Sequence, residues 1–400
     1  MRIVVAMSGG VDSSVAAALL KQEGHDVVGM TLQLWGKDVC VSSGTKLCCS
    51  VRDAMDAKSV AKRLGIPHHT LELVQEFRAH VVDYFVNSYA EGLTPNPCIA
   101  CNDHIKFGSL LGKALELGAE AVATGHYARL AHDPGTGRYQ LRRAVDATKD
   151  QSYVLFGLTQ QQLRHTRLPL GAMSKPAVRE IARELGFVTA DKPDSQDICF
   201  VRDRNKNGFL RNALGDVETS GPIVDVQGRV LGRHRGLLGY TIGQREGLGL
   251  AMGMPMYVVA IDRERNRLIV GTRDALLEPE CLVTKLNWVS IAPPETPIRA
   301  SVKIRSQHAA APATLLPQAD GSMQVAFDHP QSAVTPGQAA VFYGAPRVKP
   351  RGDIAPKQDG RFSPKFPAEA DDGDLVLGGG MITATAATLA LEPAAAGHGH

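Results

Sequence analysis

The first 130 residues alternate apolar runs with amphipathic ones. The apolar runs are short and rich in β-branched residues, as in "RIVVAM", "HDVVGMTLQLW", "PHHTLEL" and "AEAVATGHYARL". The runs between them carry apolar positions three or four residues apart, as in "SVAAALLKQEG", "DAMDAKSVAKRLG" and "IKFGSLLGKALELG". Buried strands separated by amphipathic helices are typical of a parallel sheet with helices on both faces. The pattern predicts an α/β fold in which residues 1–130 form a doubly wound parallel sheet.

The pattern changes after residue 130. The turn-rich segment "HDPGTGRYQLRR" predicts a β-hairpin that turns at 134–137. The segment "SKPAVREIARELGF" predicts a helix with Ser174 as its N-cap and Pro176 in its first turn. We therefore expect a small central α/β domain over residues 131–215.

From residue 216 onward, short strands alternate with Gly and Pro turns, as in "GPIVDVQGRVLG", "MYVVAIDRERNRLIVG" and "AAVFYG". This predicts a β-rich linker module at 216–285 and a C-terminal β-barrel at 286–385. Residues 345–373 are rich in Pro, Gly and charged side chains, which predicts a flexible insertion in the barrel. The tail, 386–400, is predicted to be disordered.

Length and composition narrow the class of protein. A chain of 400 residues exceeds one typical core, and 44% hydrophobic with 21% charged residues is ordinary for a globular protein. No apolar stretch approaches the roughly 18 residues that span a bilayer, and the start does not resemble a signal peptide. Seven cysteines, an odd number, favour a reducing compartment with free thiols over a disulfide framework. We expect a cytoplasmic protein without a membrane partner.

Positive charge is concentrated in one region. The net charge is only +3, but the segment from Arg129 to Arg183 contains ten Lys and Arg against four Asp and Glu. Such an excess is typical either of a nucleic-acid-binding face or of solvated helix surfaces. Charge alone does not decide between the two.

A glycine turn, "SGGVDSS" at 8–14, lies between the first predicted strand and the first predicted helix. Backbone N–H groups and the helix dipole make such a position an anion site, and Gly9 and Gly10 allow close approach of oxygen atoms. The carboxylate of Asp12 would not bind bare phosphate, so it is a candidate Mg²⁺ contact. The alternative is a turn needed only for strand–helix packing.

Two cysteine-containing segments are candidates for chemistry. In "LTPNPCIACNDHIKFG" we expect Asn102 or Asp103 to cap a helix beginning near His104, which would place Cys101 at a helix N-terminus with a depressed pKa. Half of a zinc site is the alternative for Cys98 and Cys101. In "DKPDSQDICFV", Cys199 is either a functional thiol in a polar loop or a buried small hydrophobic residue.

The loop "SGGVDSS" resembles that of the ATP-pyrophosphatase group. With "TPNPCIACN", "TGHYA", "KDQSYVLF", "DSQDICFV", "GYTIGQREGLG" and "TPGQAAVFY", the chain resembles the tRNA-specific 2-thiouridylase family over nearly its whole length. The resemblance implies ATP-dependent replacement of the C2 oxygen of the wobble uridine (U34) of tRNA by sulfur. It also implies an N-terminal ATP-pyrophosphatase domain, a small central domain and a C-terminal barrel.

The resemblance also assigns residue roles. Cys101 would be the nucleophile and Cys199 the carrier of a persulfide received from an upstream sulfurtransferase. ATP would be held by Ala6, Met7, Ser8, Gly9, Gly10, Val11, Asp12, Ser13, Met30 and Gly125. The target base would lie against Asn96, Pro97 and Cys98. Other tRNA contacts would come from His126, Lys149, Asp150, Gln151, Arg305, Ser306 and Gln338, with tRNAs for lysine, glutamate and glutamine as substrates.

One departure from the family pattern opens a second mechanism. Cys98 stands where the family commonly has an aspartate, so Cys98, Cys101 and Cys199 are three candidate ligands for an iron–sulfur cluster whose open iron would carry sulfide. Two further classes remain: an ATP-pyrophosphatase amide synthetase, and a non-catalytic nucleotide- or RNA-binding protein. Cys48 and Cys49 are interpreted as packing residues or part of a mobile loop, with a spare redox pair as the alternative.

Overall fold

The computed structural model describes residues 1–36, 49–194, 198–201, 205–215, 219–345 and 372–385. Three of the expectations above fall wholly or mostly outside these ranges. They concern the barrel insertion at 345–373, of which 346–371 lie outside, the tail at 386–400, and the side chains of Cys48 and Cys49.

The N-terminal region is a parallel sheet, as the sequence predicts. The strands of the first half are β1 (Arg2–Ala6), β2 (Asp26–Gln33), β3 (His68–Glu72), β4 (Ala121–Ala123), β5 (Ala128–His132), β6 (Tyr139–Arg143) and β7 (Thr166–Arg167). The sheet has the order β3-β2-β1-β4-β7, and its neighbouring strands are all parallel. The chain runs from β1 outward to β3 on one side and then crosses to β4 on the other, so the strand order reverses beside β1.

Helices lie between these strands and after them. They are α1 (Val11–Gln22), α2 (Cys49–Leu64), α3 (74–90), α4 (97–116), α5 (Gln160–Arg164), α6 (Lys175–Glu184) and α7 (Lys206–Leu214). Both α3 and α4 contain a π-helical segment, at Arg78–Val82 and at Cys101–Ser109 respectively. The predicted N-cap of α6 is confirmed, since the Ser174 hydroxyl accepts a hydrogen bond from the Ala177 N–H at 3.4 Å.

One predicted strand was wrong. The segment "AEAVATGHYARL" forms β4 and β5, which lie in different sheets, instead of one strand. The chain leaves the first sheet at 124–127 because the backbone at Gly125 packs directly against α1. A Cβ atom at Gly125 would lie 2.7 Å from the backbone nitrogen of Ser13.

The C-terminal region is a closed antiparallel barrel. Its strands are β12 (Leu277–Trp288), β13 (Ile298–Lys303), β14 (Ala311–Pro317), β15 (Met323–Ser332), β16 (Ala339–Gly344) and β17 (Leu375–Thr385). In the part of the chain that the structure describes, these six strands follow the order β12-β15-β14-β13-β16-β17, and pairing of β12 with β17 closes the barrel. Its interior is apolar, with Val283, Val302, Leu315, Val325 and Phe342 fully buried.

A smaller sheet precedes the barrel. Its strands are β8 (Gly221–Asp225), β9 (Val230–His234), β10 (Tyr257–Asp262) and β11 (Arg267–Gly271), in the order β10-β11-β8-β9. Strand β12 begins at Leu277, so the barrel starts before the predicted boundary at 285.

The predicted central region, 131–215, contributes to two sheets. Strand β7 adds to the N-terminal sheet, whereas the predicted hairpin β5–β6 is confirmed and pairs with barrel strand β17. Tyr153 joins the region to the barrel, because its buried hydroxyl donates to the Ala339 carbonyl at 2.9 Å. No helix in the described ranges is long and apolar enough to cross a membrane.

Candidate active site

The glycine turn lies where parallel sheets usually bind ligands. It follows the carboxyl end of β1, beside β4, at the point where the strand order reverses. The N-cap of α1, Gly10, has an extended backbone and offers no side-chain cap. The first N–H groups of α1 are therefore directed at the crevice, where they suit an anion.

The turn is organised by its own hydroxyls. The Ser13 hydroxyl accepts from the Ser8 N–H at 3.2 Å, and both Ser13 and Ser14 donate to the Gly10 carbonyl, at 3.2 and 2.8 Å. Gly9 has φ +73°, and a Cβ atom there would overlap the carbonyl group of Asp53 on α2. A glycine is thus required at this position for conformation and for space.

The other predicted ATP residues lie around this turn. Gly125 packs its backbone against Asp12 and Ser13 from the β4 side. Met30 ends the pairing of β2 with β1 and its carbonyl accepts from the Met7 N–H at 2.8 Å, although the Met30 side chain is buried. The tertiary structure therefore brings the turn, β2 and the segment after β4 to one edge of the sheet.

Asp12 is held inside an ion-pair network. Both its carboxylate oxygens accept from the Lys175 ammonium, at 2.7 and 2.8 Å, and Oδ1 also accepts from the Tyr127 hydroxyl at 2.8 Å. Lys175 is almost fully buried. A carboxylate already neutralised in this way does not fit the role of a Mg²⁺ ligand, so we derive no step through a metal at Asp12.

The cysteine helix begins earlier than the sequence suggested. Helix α4 starts at Pro97, and the Asn96 side chain caps it by accepting from the Cys98 N–H at 3.1 Å. The expectation that Asn102 or Asp103 caps the helix is wrong, because Pro97 already suits the first helical position. Cys98 thus lies in the first turn and Cys101 in the second, where the dipole effect that we expected for Cys101 has faded.

An aromatic anchor brings Cys199 to this helix. Cys199 itself is exposed, but the next residue, Phe200, is buried among aromatic rings of α3 and α7. The ring centroid of Phe200 lies 5.1 Å from that of Phe85 and 6.0 Å from that of Phe77. The same apolar cluster contains Cys101. The packing therefore places two cysteines that are far apart in sequence on one side of the molecule.

The thiols share one electrostatic environment. Crowding by protein atoms raises the pKa values of exposed Cys98 and half-buried Cys101 through loss of hydration, and the charge of Lys106 opposes this effect at both. Crowding by protein atoms, with smaller contributions from Cys101 and Cys98, raises the pKa of Cys199 to about 12, and Lys106 again opposes it. The expected depressed pKa of Cys101 is wrong in this state, because loss of hydration outweighs the favourable charge.

Sequence reasoning missed Lys106, whose charge lowers the pKa values of all three thiols. In an α-helix, residues five apart are separated by about 1.4 turns and lie on different faces. Cys101 and Lys106 lie within the π-helical segment, where residues five apart are joined by hydrogen bonding and lie closer to one face. The Lys106 ammonium lies 3.3 Å from Nε2 of buried His126, whose Nδ1 lies 2.7 Å from the Thr124 hydroxyl.

A second missed residue is Asp103. Burial raises the pKa of its carboxyl group to about 7. Its Oδ1 is buried and has no hydrogen-bond partner within the described ranges. A carboxyl group with this pKa, two positions from Cys101, would exchange a proton near neutral pH.

Substitution of Lys106 should raise the pKa of the Cys101 thiol further. In Lys106→Met we expect alkylation of Cys101 by iodoacetamide at pH 8 to slow by up to about tenfold, because one pKa unit changes the thiolate fraction by that factor. Lys113→Met is the matched control, since Lys113 is exposed on the same helix and pairs with Glu116. The pH profile of the alkylation rate, followed by peptide mass analysis, is the measurement. An identical profile in Lys106→Met and in the unsubstituted protein would refute the electrostatic role.

The three cysteines do not form a metal site in this state. Across the described ranges, no group of three or more His, Cys, Asp or Glu side chains is arranged to hold a metal ion. Cys98, Cys101, Cys199 and Cys281 are free thiols. In the described ranges these thiols are not arranged as the ligands of one metal centre, and we derive no step through an iron–sulfur cluster.

The predicted tRNA contacts make defined contacts within the protein. Lys149 pairs with Asp194 at 2.9 Å, Asp150 accepts from the Ala144 and Ser152 N–H groups, and the Gln151 side chain accepts from the Tyr127 N–H. Their contact with tRNA stays a prediction.

The barrel residues among these predictions lie near the cysteine segment or on the barrel surface. The Gln338 side chain donates to the Thr94 carbonyl at 2.7 Å, which docks the barrel next to Asn96. Arg305 donates to the Ser332 carbonyl at 3.1 Å, and Ser306 is exposed. The barrel thus borders the cysteine segment.

The basic region is largely engaged internally. Arg129 pairs with Asp374 at 2.7 Å, the Arg143 guanidinium lies 3.8 Å from the Tyr343 ring centroid, and Arg138 donates to the Trp288 carbonyl. These three cations join the hairpin to the barrel. Excess positive charge in this part of the sequence therefore does not by itself define an RNA-binding face.

Comparisons with known proteins agree with this architecture. A family model described as the tRNA methyl transferase HUP domain matches residues 1–203. Models described as the tRNA methyl transferase PRC-barrel domain and the aminomethyltransferase beta-barrel domain match residues 207–272 and 278–348.

Curated relatives match over nearly the whole chain. A tRNA-specific 2-thiouridylase of Heliobacterium modesticaldum is 50% identical, covering 89% of this chain and 93% of the relative. Proteins of the same name from Solibacter usitatus and Acetivibrio thermocellus are 47% and 44% identical; each match covers 95% of this chain, and 98% and 99% of the relative respectively. On this similarity and its order of domains, the chain belongs to the tRNA-specific 2-thiouridylase family.

Proposed function

We propose that this protein is an ATP-dependent tRNA-uridine 2-sulfurtransferase acting on the wobble uridine. The observation that carries the proposal is the convergence of Cys101 and Cys199 on one face. The chain around Gly125 and His126 connects that face to the glycine turn, since Gly125 packs on the turn and His126 contacts Lys106. An anion site next to two thiols suits a reaction that uses both a nucleotide and sulfur.

The first step uses the nucleotide. The C2 oxygen of uridine is a poor leaving group, so it attacks the α-phosphorus of ATP; the bond between the α- and β-phosphates breaks and pyrophosphate leaves. In this step the N-terminal N–H groups of α1 bind the departing anion, together with the Ser8 hydroxyl, which lies 3.3 Å from the Ser13 hydroxyl. The wobble base would leave the anticodon stack to enter the site, because recognition of single-stranded RNA bases usually requires unstacking.

The second step transfers sulfur. Cys199 carries an outer sulfur atom received as a persulfide from an upstream sulfurtransferase. The Cys101 thiolate attacks Sγ of Cys199, a Cys101–Cys199 disulfide forms, and the outer sulfur leaves as hydrosulfide. Hydrosulfide adds to C2, the C2–O bond breaks, and AMP departs. Two electrons from an external thiol then reduce the disulfide.

The positive charge of Lys106 favours this sequence. It stabilises the Cys101 thiolate before the attack and the hydrosulfide as it leaves, both of which are anions. Thiols that are protonated at rest therefore still supply the thiolate that the reaction requires.

Mass analysis of nucleosides tests the activity. The protein is incubated with MgATP, an unmodified tRNA with uridine at the wobble position, and a persulfide-loaded sulfurtransferase, and the tRNA is then digested. We expect 2-thiouridine together with AMP and pyrophosphate in equal amounts. Formation of pyrophosphate with consumption of glutamine or ammonia would instead support an amide synthetase, and absence of pyrophosphate would support a binding protein.

The tRNA substrates and the alternative sulfur carrier are tested in the same system. We expect tRNAs for lysine, glutamate and glutamine to be modified. The cluster mechanism predicts stoichiometric iron and sulfide in protein purified without oxygen, whereas the persulfide mechanism predicts neither. The barrel insertion and the tail play no part in this proposal.

A further inference from the structure

The segment 189–194, which we call the strap, crosses directly over the glycine turn on its way to Cys199. Its first residue, Thr189, is fully buried, and its hydroxyl donates to the Ser14 hydroxyl of α1 at 3.1 Å. The chain therefore touches the nucleotide turn before it reaches the persulfide cysteine.

Lys192 forms the second contact. Its ammonium donates to the Gly9 carbonyl at 2.8 Å and pairs with Asp53 and Asp56 of α2, at 2.6 and 2.7 Å. Burial alone would lower the pKa of Lys192, but the hydrogen bonds that it donates to Asp53 and Asp56 raise it. The ammonium is thus charged at neutral pH and holds the glycine turn against α2.

Asp194 forms the third contact, through Lys175. The Lys175 ammonium lies 2.9 Å from Asp194 and 2.7 Å from Asp12 of α1, and Lys149 and Arg179 also reach Asp194 at 2.9 Å each. Burial alone would raise the pKa of Asp194, but hydrogen bonds from Lys149 and Lys175 lower it to about 2. Asp194 is therefore ionised throughout the neutral range, and the network is complete there.

Arg179 stiffens the strap itself. Its guanidinium donates to the Ala190 carbonyl at 2.7 Å and to the Lys192 carbonyl at 3.0 Å, in addition to Asp194. Charge-assisted contacts from one rigid guanidinium to three points fix a short backbone segment. A segment that only connects a helix to a cysteine would not need so many contacts with the nucleotide turn.

We propose that Lys192 and Asp194 are positioning residues that fasten the strap to the nucleotide turn, so that Cys199 is presented to Cys101 beside bound ATP. This role rests on the proposed function. What the strap itself changes is the rate at which the thiols of Cys199 and Cys101 come into contact. The strap restricts the positions that Cys199 occupies, which raises the effective concentration of its thiol near the thiol of Cys101.

Disulfide trapping tests the strap without tRNA or ATP turnover. The reduced full-length protein is treated with diamide, an azo oxidant of thiols, and is quenched and digested; the Cys101–Cys199 peptide pair is then quantified by mass spectrometry over time. We expect Asp194→Asn and Lys192→Met each to slow this disulfide by about tenfold, because each removes a charge-assisted tether. Lys192→Arg, which keeps the charge, should recover most of the rate.

The strap offers a matched control. Asp191→Asn removes an exposed carboxylate of the same segment, one that pairs with Arg183 and does not contact the glycine turn, and it should leave the rate unchanged. Alkylation of Cys281 serves as the folding control. This thiol is buried in the barrel, so it reacts only in molecules that have unfolded. Asp194→Asn keeps both contacts of Lys175 to Asp12, so we expect it to fold.

The outcomes separate this inference from the proposed function. An unchanged trapping rate in Asp194→Asn and Lys192→Met would overturn the strap, and so would unfolding of both variants, since the segment would then act only in folding. Slow trapping in these variants supports the strap even where the protein fails to thiolate tRNA. If the protein thiolates tRNA but the strap variants form the disulfide at the unchanged rate, the proposed function is upheld and the strap is not.

Discussion

Replacing Cys199 by serine should abolish thiolation while leaving ATP binding intact. A hydroxyl does not carry a persulfide, so the sulfur-transfer rate should fall at least about 1,000-fold, the scale seen when a covalent catalyst is removed. ATP binding should be unchanged because Cys199 is exposed and does not contact the glycine turn within the described ranges. Thiolation is measured as 2-thiouridine released from tRNA, and ATP affinity by calorimetry.

Two comparisons sharpen this result. In Cys101→Ser the persulfide should still form on Cys199 and accumulate, because the group that releases its outer sulfur is missing; intact-protein mass then shows one added sulfur atom. Cys281→Ala removes a thiol buried in the barrel and should retain activity within about twofold. Full activity in Cys199→Ser would refute the persulfide role of this residue.

Replacing Gly9 by alanine should weaken ATP binding strongly. The substitution adds a methyl group that overlaps the Asp53 carbonyl and requires a backbone conformation with φ +73°. The turn must then move away from α2 and lose its contact with Lys192, so the N–H groups that face the phosphates are displaced. A displacement of about 1 Å at an active site lowers the reaction rate by about 100-fold, and we expect the ATP affinity to fall by a similar factor.

Gly24→Ala separates the loss of the site from the general cost of backbone strain. Gly24 has φ +82° at the other end of α1, but in the described ranges no atom of another segment lies within 4 Å of its added Cβ. Both variants should lose about 1–2 kcal/mol of stability from the left-handed conformation. Only Gly9→Ala should lose ATP binding. Equal ATP affinity in the two variants would show that the turn does not contact the phosphates.

Local physical chemistry explains which parts of the fold could be predicted. The β-branched run of β1, the amphipathic run of α2 and the Ser174–Pro176 start of α6 each express a local preference that the tertiary structure keeps. The break between β4 and β5 was missed because it depends on how closely Gly125 approaches α1. A single sequence does not reveal such a contact between distant segments.

The start of the cysteine helix was missed for a different reason. Asn96, Asn102 and Asp103 all have side chains that cap helices well, so local preference does not choose among them. Pro97 favours Asn96 as the cap. Ala100 is buried in the apolar cluster around Phe200 and Ile99 in the one around Tyr153, and this burial makes the first turn helical. The pKa direction of Cys101 then followed burial, which no local motif encodes.

By itself the sequence determined the parallel sheet, the barrel, the glycine turn and the two cysteine segments, because each rests on periodicity or on residue types with narrow uses. Only the tertiary structure decided what these parts do to one another. It showed Asp12 neutralised by Lys175, Lys106 placed beside all three thiols by a π-helical segment, and the strap fastened to the nucleotide turn. The physical reason is that charge and burial act through space, whereas a sequence records only order along the chain.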